Sequence, residues 1–424
     1  MHLLLKNITV CDPNSPYNKQ TVDILIKNGI IENIKSGINA KNVAVKDCSN
    51  AFISPGWSDL TACSGEPGYE YKEDMRSLSE AGAAGGFTFI GCLPDTEPAL
   101  HSKSEIEFIT TKSSKYICQL IPIGAVTKDC KGEKLTDMID LHHAGAFAFS
   151  NGLEKPLNGG VTEKSLFYIK AFNGLLITFP ENESITQKAI MHEGPVSTRL
   201  GLSGDPFISE EVSLIRDIKL LEYTNSRLHI GAISTKHSLP HIKQAKSEKL
   251  RISSAVSVFH LLYDDNALES YDSLYKVKPP FRSKEDRKAL KKALKDGLIN
   301  CITGLHKPED DDAKNVELDI AAYGMQSLET LYPAVLKAFD FKVTNEEIVN
   351  WLSINPRNIA GLPVPIIDIN QEVEYTIFNP EEKWTYDSKN KKSKSNNNPF
   401  LNKEMTGRVS GVITKRGAYW NNSK

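Results

Sequence analysis

AFISPGWSDL at residues 51–60 and GFTFIGCL at residues 86–93 begin a repeating pattern of short apolar stretches separated by amphipathic segments or loops. Short apolar runs bounded by turn residues are typical of buried strands. Six more runs follow, at residues 118–125, 145–150, 174–179, 227–234, 250–257 and 298–303. Eight alternating strand and helix units over this length predict a (β/α)8 TIM barrel of the α/β class.

An open, doubly wound sheet is the other common arrangement of alternating strands and helices. It would carry a glycine-rich phosphate loop after its first strand, and none follows residues 51–60. The clearest helix starts after Asp205, which is predicted to cap it, and Pro206, which suits a first turn. Its apolar residues recur at helical spacing on one face, and they are Ile208, Val212, Ile215, Ile218 and Leu221.

The two ends of the chain differ from this middle part and are β-rich. We predict that residues 1–51 and 361–424 pair into a small composite β-sandwich domain beside the barrel, which would occupy residues 52–360. Residues 388–402, SKNKKSKSNNNPFLN, are polar and rich in lysine and asparagine. Their composition predicts a flexible loop.

The composition of the 424 residues argues against several kinds of protein. The formal net charge is −2 and the pI about 6.6, so there is no basic excess for binding nucleic acid. The first apolar run breaks at Lys6, and no apolar window reaches the roughly 18 residues of a membrane span. Seven scattered cysteines without a CxxC pair fit reduced thiols and predict a cytoplasmic location.

Several distinctive motifs occur in order along the chain. They are EPGYEYKEDMRSLSEAGAAGGFT at 66–88, CLPDTEP at 92–98, EGPVSTRLGLSGDP at 193–206, RLHIGAIST at 227–235, YDSLYKVKPPFRSKEDRKAL at 271–290, SLET at 327–330 and INPRNIAGL at 354–362. Together with EEKW and SKSNNNPF in the tail, they resemble the long-chain bacterial dihydroorotases, zinc enzymes of the amidohydrolase superfamily. The resemblance covers nearly the whole chain and implies the same barrel and β-sandwich.

The resemblance also identifies departures at the metal-binding positions of the first strand. The family motif is Asp-x-His-x-His-Leu-Arg-Glu-Pro-Gly, whereas residues 59–68 are DLTACSGEPG. Thr61 and Cys63 therefore replace the two histidines, and Gly65 replaces the arginine. Because the flanking Asp and Glu-Pro-Gly are retained, a shifted alignment does not restore them.

Four further positions that the family uses for metal binding or as a base have also changed. They hold Asn151 in place of an aspartate, Phe179 and Ala232 in place of histidines, and Leu305 in place of the aspartate that serves as general base and ligand. Zinc needs converging imidazole, thiolate or carboxylate groups. We therefore predict no catalytic residue, no metal ligand and no zinc cofactor in this chain.

The substrate carboxylate of the family would lie near the positions of Gly65, Asp95, Lys278 and His306. Gly65 offers no guanidinium, and Asp95 replaces an asparagine with a charge that repels a carboxylate by roughly 1–4 kcal/mol at about 4 Å. Lys278 replaces a second asparagine. A structural ion pair between Lys278 and Asp95 and two unrelated substitutions are both compatible with the sequence.

A relocated single-metal site is the alternative to loss of the metal. His260 and His306 lie near the ends of predicted strands and could join Cys63. No carboxylate is expected to converge with them, which favours ordinary hydrogen-bonded histidines in a disused pocket. The acidic run at residues 309–312 is interpreted as a solvated loop.

Retained framework motifs beside an altered metal site predict a dihydroorotase-like protein of pyrimidine biosynthesis that is catalytically inactive. Some family members without the zinc ligands assemble with aspartate transcarbamoylase, so the resemblance implies a structural or regulatory partner of that enzyme, and a homo-oligomer. Two alternatives stay open. One is an active dihydroorotase, a cyclic amide hydrolase, with an unorthodox metal site, and the other is a small-molecule binding protein that uses a less polar barrel mouth.

Overall fold

The structure, a computed structural model, describes residues 1–421 and contains a barrel of parallel strands beside a second sheet. In chain order the strands are β1 (His2–Val10), β2 (Thr21–Lys27), β3 (Ile30–Lys35), β4 (Ala44–Asp47), β5 (Phe52–Pro55), β6 (Trp57–Ala62), β7 (Phe87–Cys92), β8 (Gln119–Ala125), β9 (Ala148–Ser150), β10 (Leu176–Thr178), β11 (Met191–His192), β12 (Gly204–Asp205), β13 (Leu228–Ile230), β14 (Ile252–Ser257), β15 (Cys301–Thr303), β16 (Glu374–Tyr386), β17 (Lys403–Thr414) and β18 (Gly417–Trp420).

Helices connect most of the barrel strands. In chain order they are α1 (Met75–Ala84), α2 (Lys103–Ser113), α3 (Met138–Ala144), α4 (Gly159–Lys170), α5 (Glu183–Thr186), α6 (Pro195–Leu200), α7 (Ile208–Thr224), α8 (Leu239–Ser247), α9 (Val258–Leu262), α10 (Lys284–Lys295), α11 (Asp311–Lys314), α12 (Leu331–Ala338), α13 (Asn345–Val349) and α14 (Asn355–Ala360). A π-helical turn, Asn350–Ile354, joins α13 to α14. Within residues 1–421, no helix is long and apolar enough to cross a membrane.

The barrel consists of eight strands in the order β6, β7, β8, β9, β10, β13, β14 and β15, and neighbouring strands are parallel. Seven of the eight apolar runs in the sequence contain one of these strands, and the first run, residues 51–60, covers β5 and the start of β6. The ring is nearly closed, because Ala62 at the end of β6 forms a parallel bridge with His306 just after β15. The (β/α)8 prediction is therefore confirmed, and the carboxyl ends of the strands form one common mouth.

Both ends of the chain contribute to the second sheet, as predicted. Its order is β18, β17, β16, β5, β1, β2 and β3, with β4 added beside β1. Leu5, Ile24, Ile53, Tyr375 and Ile377 are fully buried in its core. The two ends thus form one eight-stranded mixed sheet, while the domain boundaries at 51/52 and 360/361 stay a prediction.

The chain passes from this sheet into the barrel at Gly56, between β5 and β6. A Cβ atom on Gly56 would lie 2.2 Å from Thr88 Oγ1. The Gly56 carbonyl accepts hydrogen bonds from Ser353 Oγ at 2.9 Å and from Arg357 Nε at 3.0 Å. A side chain is excluded here because the two sheets approach closely at this corner.

Helix α7 has a different cap and a different buried face from those predicted. Its N-cap residue is Phe207, and the predicted cap Asp205 lies in β12, where it binds Arg282. The exposed fractions of Ile208, Val212 and Ile215 are 39%, 40% and 37%. The face against the barrel includes Ser209, Glu210, Ser213, Leu214 and Asp217 as well as the predicted Ile218 and Leu221.

The physical reason for this difference is hydrogen bonding to the barrel mouth. Glu210 is 2% exposed and accepts hydrogen bonds from the Ser238 hydroxyl at 2.6 Å and from the Ser234 backbone at 3.1 Å. Buried hydroxyl and backbone N–H groups in loops need hydrogen-bond partners. Polar residues therefore lie inward on α7. Apolar periodicity alone predicts burial for some residues of this helix that are in fact exposed.

The lysine- and asparagine-rich stretch packs on the barrel mouth over residues 392–398, which we name the strap. Within it, Ser393, Ser395, Asn397 and Asn398 are buried. Asn397 Nδ2 donates to the Lys307 carbonyl at 3.1 Å. The predicted flexible loop is therefore wrong for the strap, because its polar side chains bind buried polar groups instead of water.

Candidate active site at the barrel mouth

Four of the six altered positions contribute to one apolar cluster at the barrel mouth. Ala232 and Leu305 are buried members of it, and Cys63 and Phe179 pack against them. The remaining buried members are Leu93, Ile123, Ala148, Leu153, Leu175 and Ile177. This apolar cluster offers dispersion contacts, and the Cys63 thiol is its one chemical group of a type that binds zinc.

The Cys63 side chain is a neutral thiol in this environment. Burial raises the pKa of Cys63 well above its usual value, and the carboxylate of Asp95 reinforces the shift. Zinc binds the thiolate and not the thiol. Cys63 would therefore have to lose its proton before it could bind a metal ion.

Asp59 and Thr61 connect the first and last strands of the barrel. Asp59 Oδ1 accepts hydrogen bonds from Thr303 Oγ1 at 2.7 Å and from the Thr61 backbone at 3.1 Å, and Oδ2 accepts from Gly304 N at 2.7 Å. Thr61 Oγ1 lies 2.9 Å from Thr303 Oγ1. Burial raises the pKa of Asp59, and these hydrogen bonds oppose the shift. The retained aspartate thus stabilises the junction between β6 and β15.

Asn151 uses both parts of its amide to hold a loop. Its Oδ1 accepts a hydrogen bond from Thr127 Oγ1 at 2.6 Å. Its Nδ2 donates to the carbonyls of Cys130 at 2.9 Å and Lys155 at 3.0 Å. An ionised carboxylate has no donor, so an aspartate here would leave both carbonyls without this partner.

Gly65, at the position of the family's arginine, leaves no room for a side chain. Its φ is +67°, and a Cβ atom would lie 2.3 Å from the Glu73 carbonyl oxygen. The Gly65 carbonyl accepts a hydrogen bond from Tyr69 N at 2.6 Å. A tight turn therefore lies at the position where the sequence resemblance implies a cationic side chain in the family.

Lys278 and Asp95 do not form the ion pair that was one alternative from the sequence. Lys278 Nζ lies 2.8 Å from Glu181 Oε2. Burial raises the pKa of Asp95, and the nearby Lys307 opposes that shift. The positive charge that acts most strongly on Asp95 is therefore that of Lys307, whereas Lys278 forms an ion pair with a residue in the loop after β10.

His260 and His306 both have hydrogen-bonded positions. His260 Nε2 donates to the Pro279 carbonyl at 3.0 Å, and burial lowers the pKa of His260 to about 4, so the ring is neutral at pH 7. His306 Nδ1 accepts from Ser327 N at 3.1 Å. Among residues 1–421, no group of three or more His, Cys, Asp or Glu side chains is placed to hold a metal ion.

The acidic run is less exposed than predicted. Glu309 is 2% exposed, and its Oε2 lies 2.7 Å from Lys72 Nζ. Asp310 caps α11 by accepting from Ala313 N at 2.7 Å. The interpretation as a solvated loop is therefore wrong for Glu309, because two lysines at the barrel mouth, Lys72 and Lys307, neutralise it.

Glu329 organises a buried polar region that the sequence analysis did not identify. Its carboxylate accepts hydrogen bonds from Tyr386 OH at 2.9 Å, from Lys392 N at 2.8 Å and from Ser393 N at 3.0 Å. Burial raises the pKa of Glu329 to about 7. The side chain therefore joins a barrel loop to β16 and to the strap.

Glu73 continues this region toward the last barrel strand. It accepts hydrogen bonds from the Ser77 and Ser393 hydroxyls, and its Oε2 lies 3.5 Å from His306 Nε2. We name Glu73, His306, Glu329 and Tyr386, which are 0–5% exposed, the polar shell. The signal in the sequence was the glutamate of SLET and the serine of SKSNNNPF, two motifs without an assigned role.

Comparison with known proteins gives consistent results. Residues 51–238 match the family model described as Dihydro-orotase-like. The dihydroorotase of Caldanaerobacter subterraneus subsp. tengcongensis is 35% identical over 98% of this chain and 96% of that protein. The dihydroorotase of Geotalea daltonii is 33% identical over 97% and 98%. An L-hydantoinase structure from Arthrobacter aurescens superposes with a TM-score of 0.86 at 19% identity, covering 100% and 97%.

The nearly closed barrel with its added sheet defines the class of this protein as a TIM barrel that shares the fold of the hydantoinase structure. Within that class, identity of 35% over nearly the full length is far more specific than the shared fold. The chain belongs to the dihydroorotase family.

Proposed function

We propose that this chain is a non-catalytic member of the dihydroorotase family and serves pyrimidine biosynthesis as a structural or regulatory partner of aspartate transcarbamoylase. The observation that carries the loss of catalysis is the apolar cluster. Phe179, Ala232 and Leu305 occupy positions where the family has histidine and aspartate, and they pack with one another and with Cys63. A hydrolase of this family needs metal-activated water at that place.

The donor set at the mouth does not fit a zinc ion. Asp59 is surrounded by hydroxyl and amide donors, Asn151 is bound to a hydroxyl and two carbonyls, and His306 accepts from a backbone amide. Each of these polar groups stabilises the framework. We therefore propose that zinc is not a cofactor of this chain.

Metal analysis tests this directly. Protein purified from zinc-containing medium should carry well under one equivalent of metal, measured by elemental analysis beside an active dihydroorotase treated identically. Stoichiometric zinc that resists mild chelation would overturn the proposal and support the active enzyme with an unorthodox site.

The hydrolysis of dihydroorotate tests the same proposal independently. No rate above the uncatalysed reaction is expected, because no activated water and no general base are available at the mouth. Turnover by the unmodified chain that survives a second purification would contradict the proposal. The active dihydroorotase used for metal analysis is the positive control.

The partner role is supported by the contrast between altered ligand positions and a retained framework. Identity of 33–35% over nearly the whole chain is compatible with a preserved shape. Family members without zinc ligands that assemble with aspartate transcarbamoylase provide the precedent. Six of the seven free cysteines are buried, which suits the cytoplasmic location that this role requires.

The partner role is tested by size-exclusion chromatography with light scattering, on the chain alone and mixed with aspartate transcarbamoylase from the same cell. A homo-oligomer that co-elutes with the transcarbamoylase is expected. Obligate interfaces bury about 2,000 Å² or more, so dissociation at micromolar concentration should be slight. A lone monomer that leaves the transcarbamoylase peak unshifted would refute the partner role without affecting the metal and hydrolysis tests.

A further inference from the structure

A pocket that is partly open to solvent lies beside the apolar cluster. Phe179 and Ala232 provide part of its apolar wall, together with Pro279 and Pro280. Small-molecule sites typically combine apolar walls with a few placed polar groups. The pocket therefore has the form of a binding site, although two of its lining residues, Phe179 and Ala232, occupy positions where the family has histidines.

The charged residues that line the pocket include more acids than bases. They are Glu181, Asp205, Glu210, Lys278 and Arg282, three acids and two bases, so their sum is one negative charge when all are ionised. Glu210 already accepts hydrogen bonds from the Ser234 and Ser238 side chains. The acceptors left for a ligand therefore belong mainly to Asp205 and Glu181.

Asp205 has an unused acceptor. Its Oδ2 accepts from Arg282 Nη2 at 3.1 Å, while Oδ1 has no hydrogen-bond partner among the described residues. Asp205 is only 5% exposed. A buried acceptor without a partner is unfavourable, and a ligand N–H group would supply the missing partner.

The ionisation state of Asp205 suits such a ligand. Burial raises the pKa of Asp205 to about 6, and the guanidinium of Arg282 opposes the shift. At pH 7.5 the group is therefore mainly a carboxylate. Lys278 moderates the negative potential because its Nζ lies 2.8 Å from Glu181 Oε2.

We propose that this pocket binds a small planar cation with N–H donors, of the amidine or guanidine class. Its N–H groups face the carboxylates of Asp205 and Glu181, and its ring or apolar portion packs on Phe179 and the two prolines. The site goes beyond the partner role and does not depend on it. Loss of transcarbamoylase binding would therefore leave this proposal intact.

Three probes of equal shape and different charge test the proposal on the full chain at pH 7.5. Benzamidine is cationic, benzamide is neutral and benzoate is anionic. Isothermal titration calorimetry should give benzamidine a Kd at least tenfold lower than that of benzamide, and benzoate should bind most weakly. Tighter or equal binding of benzoate would overturn the proposal, as would no heat from benzamidine at millimolar concentration.

Two variants with opposite expected effects locate the probe. Asp205→Asn should raise the Kd of benzamidine at least tenfold, whereas Lys278→Met should lower it about threefold because Glu181 becomes unpaired. Asp140→Asn on α3, outside the pocket, is the matched control and should change nothing. Because Asp205→Asn also alters the contact with Arg282, Lys278→Met provides an independent test. Equal binding by all four proteins would show that benzamidine binds elsewhere and that the proposal is wrong.

Discussion

The apolar cluster and the polar shell lie at the same barrel mouth, yet one is packed almost entirely with apolar side chains and the other with buried polar side chains. In the apolar cluster, positions that the family uses for metal ligands hold Phe179, Ala232 and Leu305. In the polar shell, Glu73 and Glu329 stay buried because hydroxyl and amide donors surround them. The difference shows that buried polar groups stay at this mouth where donors surround them, whereas Phe179, Ala232 and Leu305 provide apolar packing.

Removing Glu329 should have the largest effect of any single change at the mouth. Glu329→Ala leaves Tyr386 OH and the amides of Lys392 and Ser393 without their buried acceptor. We expect a loss of about 4 kcal/mol in the free energy of unfolding, measured by urea denaturation. Glu372→Ala, which breaks an exposed ion pair with Lys415, should cost less than about 0.5 kcal/mol. Similar losses in both variants would remove the distinction between shell and surface.

Restoring a carboxylate in the apolar cluster should also destabilise the protein. Leu305 is 8% exposed, and Leu305→Asp would place a charge among apolar side chains. A loss of about 3 kcal/mol is expected at pH 8, and a smaller loss for the neutral Leu305→Asn. Added zinc should not restore stability in thermal denaturation. A zinc-dependent recovery in Leu305→Asp would show that enough ligands remain to hold a metal.

The polar shell should make stability depend on pH. Burial raises the pKa of Glu329 from 4.5 to about 7, so the folded state binds a proton that the unfolded state releases. Between pH 5 and 8 the free energy of unfolding therefore falls by up to about 3 kcal/mol through this group. Glu329→Gln, which cannot ionise, should lose that slope relative to the parent chain in paired denaturation curves. If the free energy of unfolding of both proteins changed with pH in the same way, the proton would bind to a group other than Glu329.

The smallest effect is expected from restoring only the first-strand histidines. Thr61→His with Cys63→His leaves Leu305 and Ala232 unchanged, so no general base and no complete ligand set result. Hydrolysis of dihydroorotate should stay at the uncatalysed rate in a preparation whose melting shows that it is folded. Measurable turnover would mean that the remaining positions matter less than their apolar packing suggests.

Much of this protein follows from the sequence by itself. Eight short apolar runs separated by amphipathic segments or loops determined the barrel, because a buried parallel strand must be apolar on both faces. The motif frame around residues 59–68 placed Thr61, Cys63 and Gly65 without reference to any contact. The family followed from the order of motifs over the whole chain, since each motif alone is less specific.

Only the tertiary structure decided how the polar residues are used. Lys278 pairs with Glu181 instead of Asp95, and α7 turns Glu210 inward while Ile208 stays exposed. The strap follows the same rule, because Ser393 and Asn398 find buried partners far away in the chain. Apolar burial is recorded in local periodicity, whereas a buried hydrogen bond depends on two residues that only the folded chain brings together.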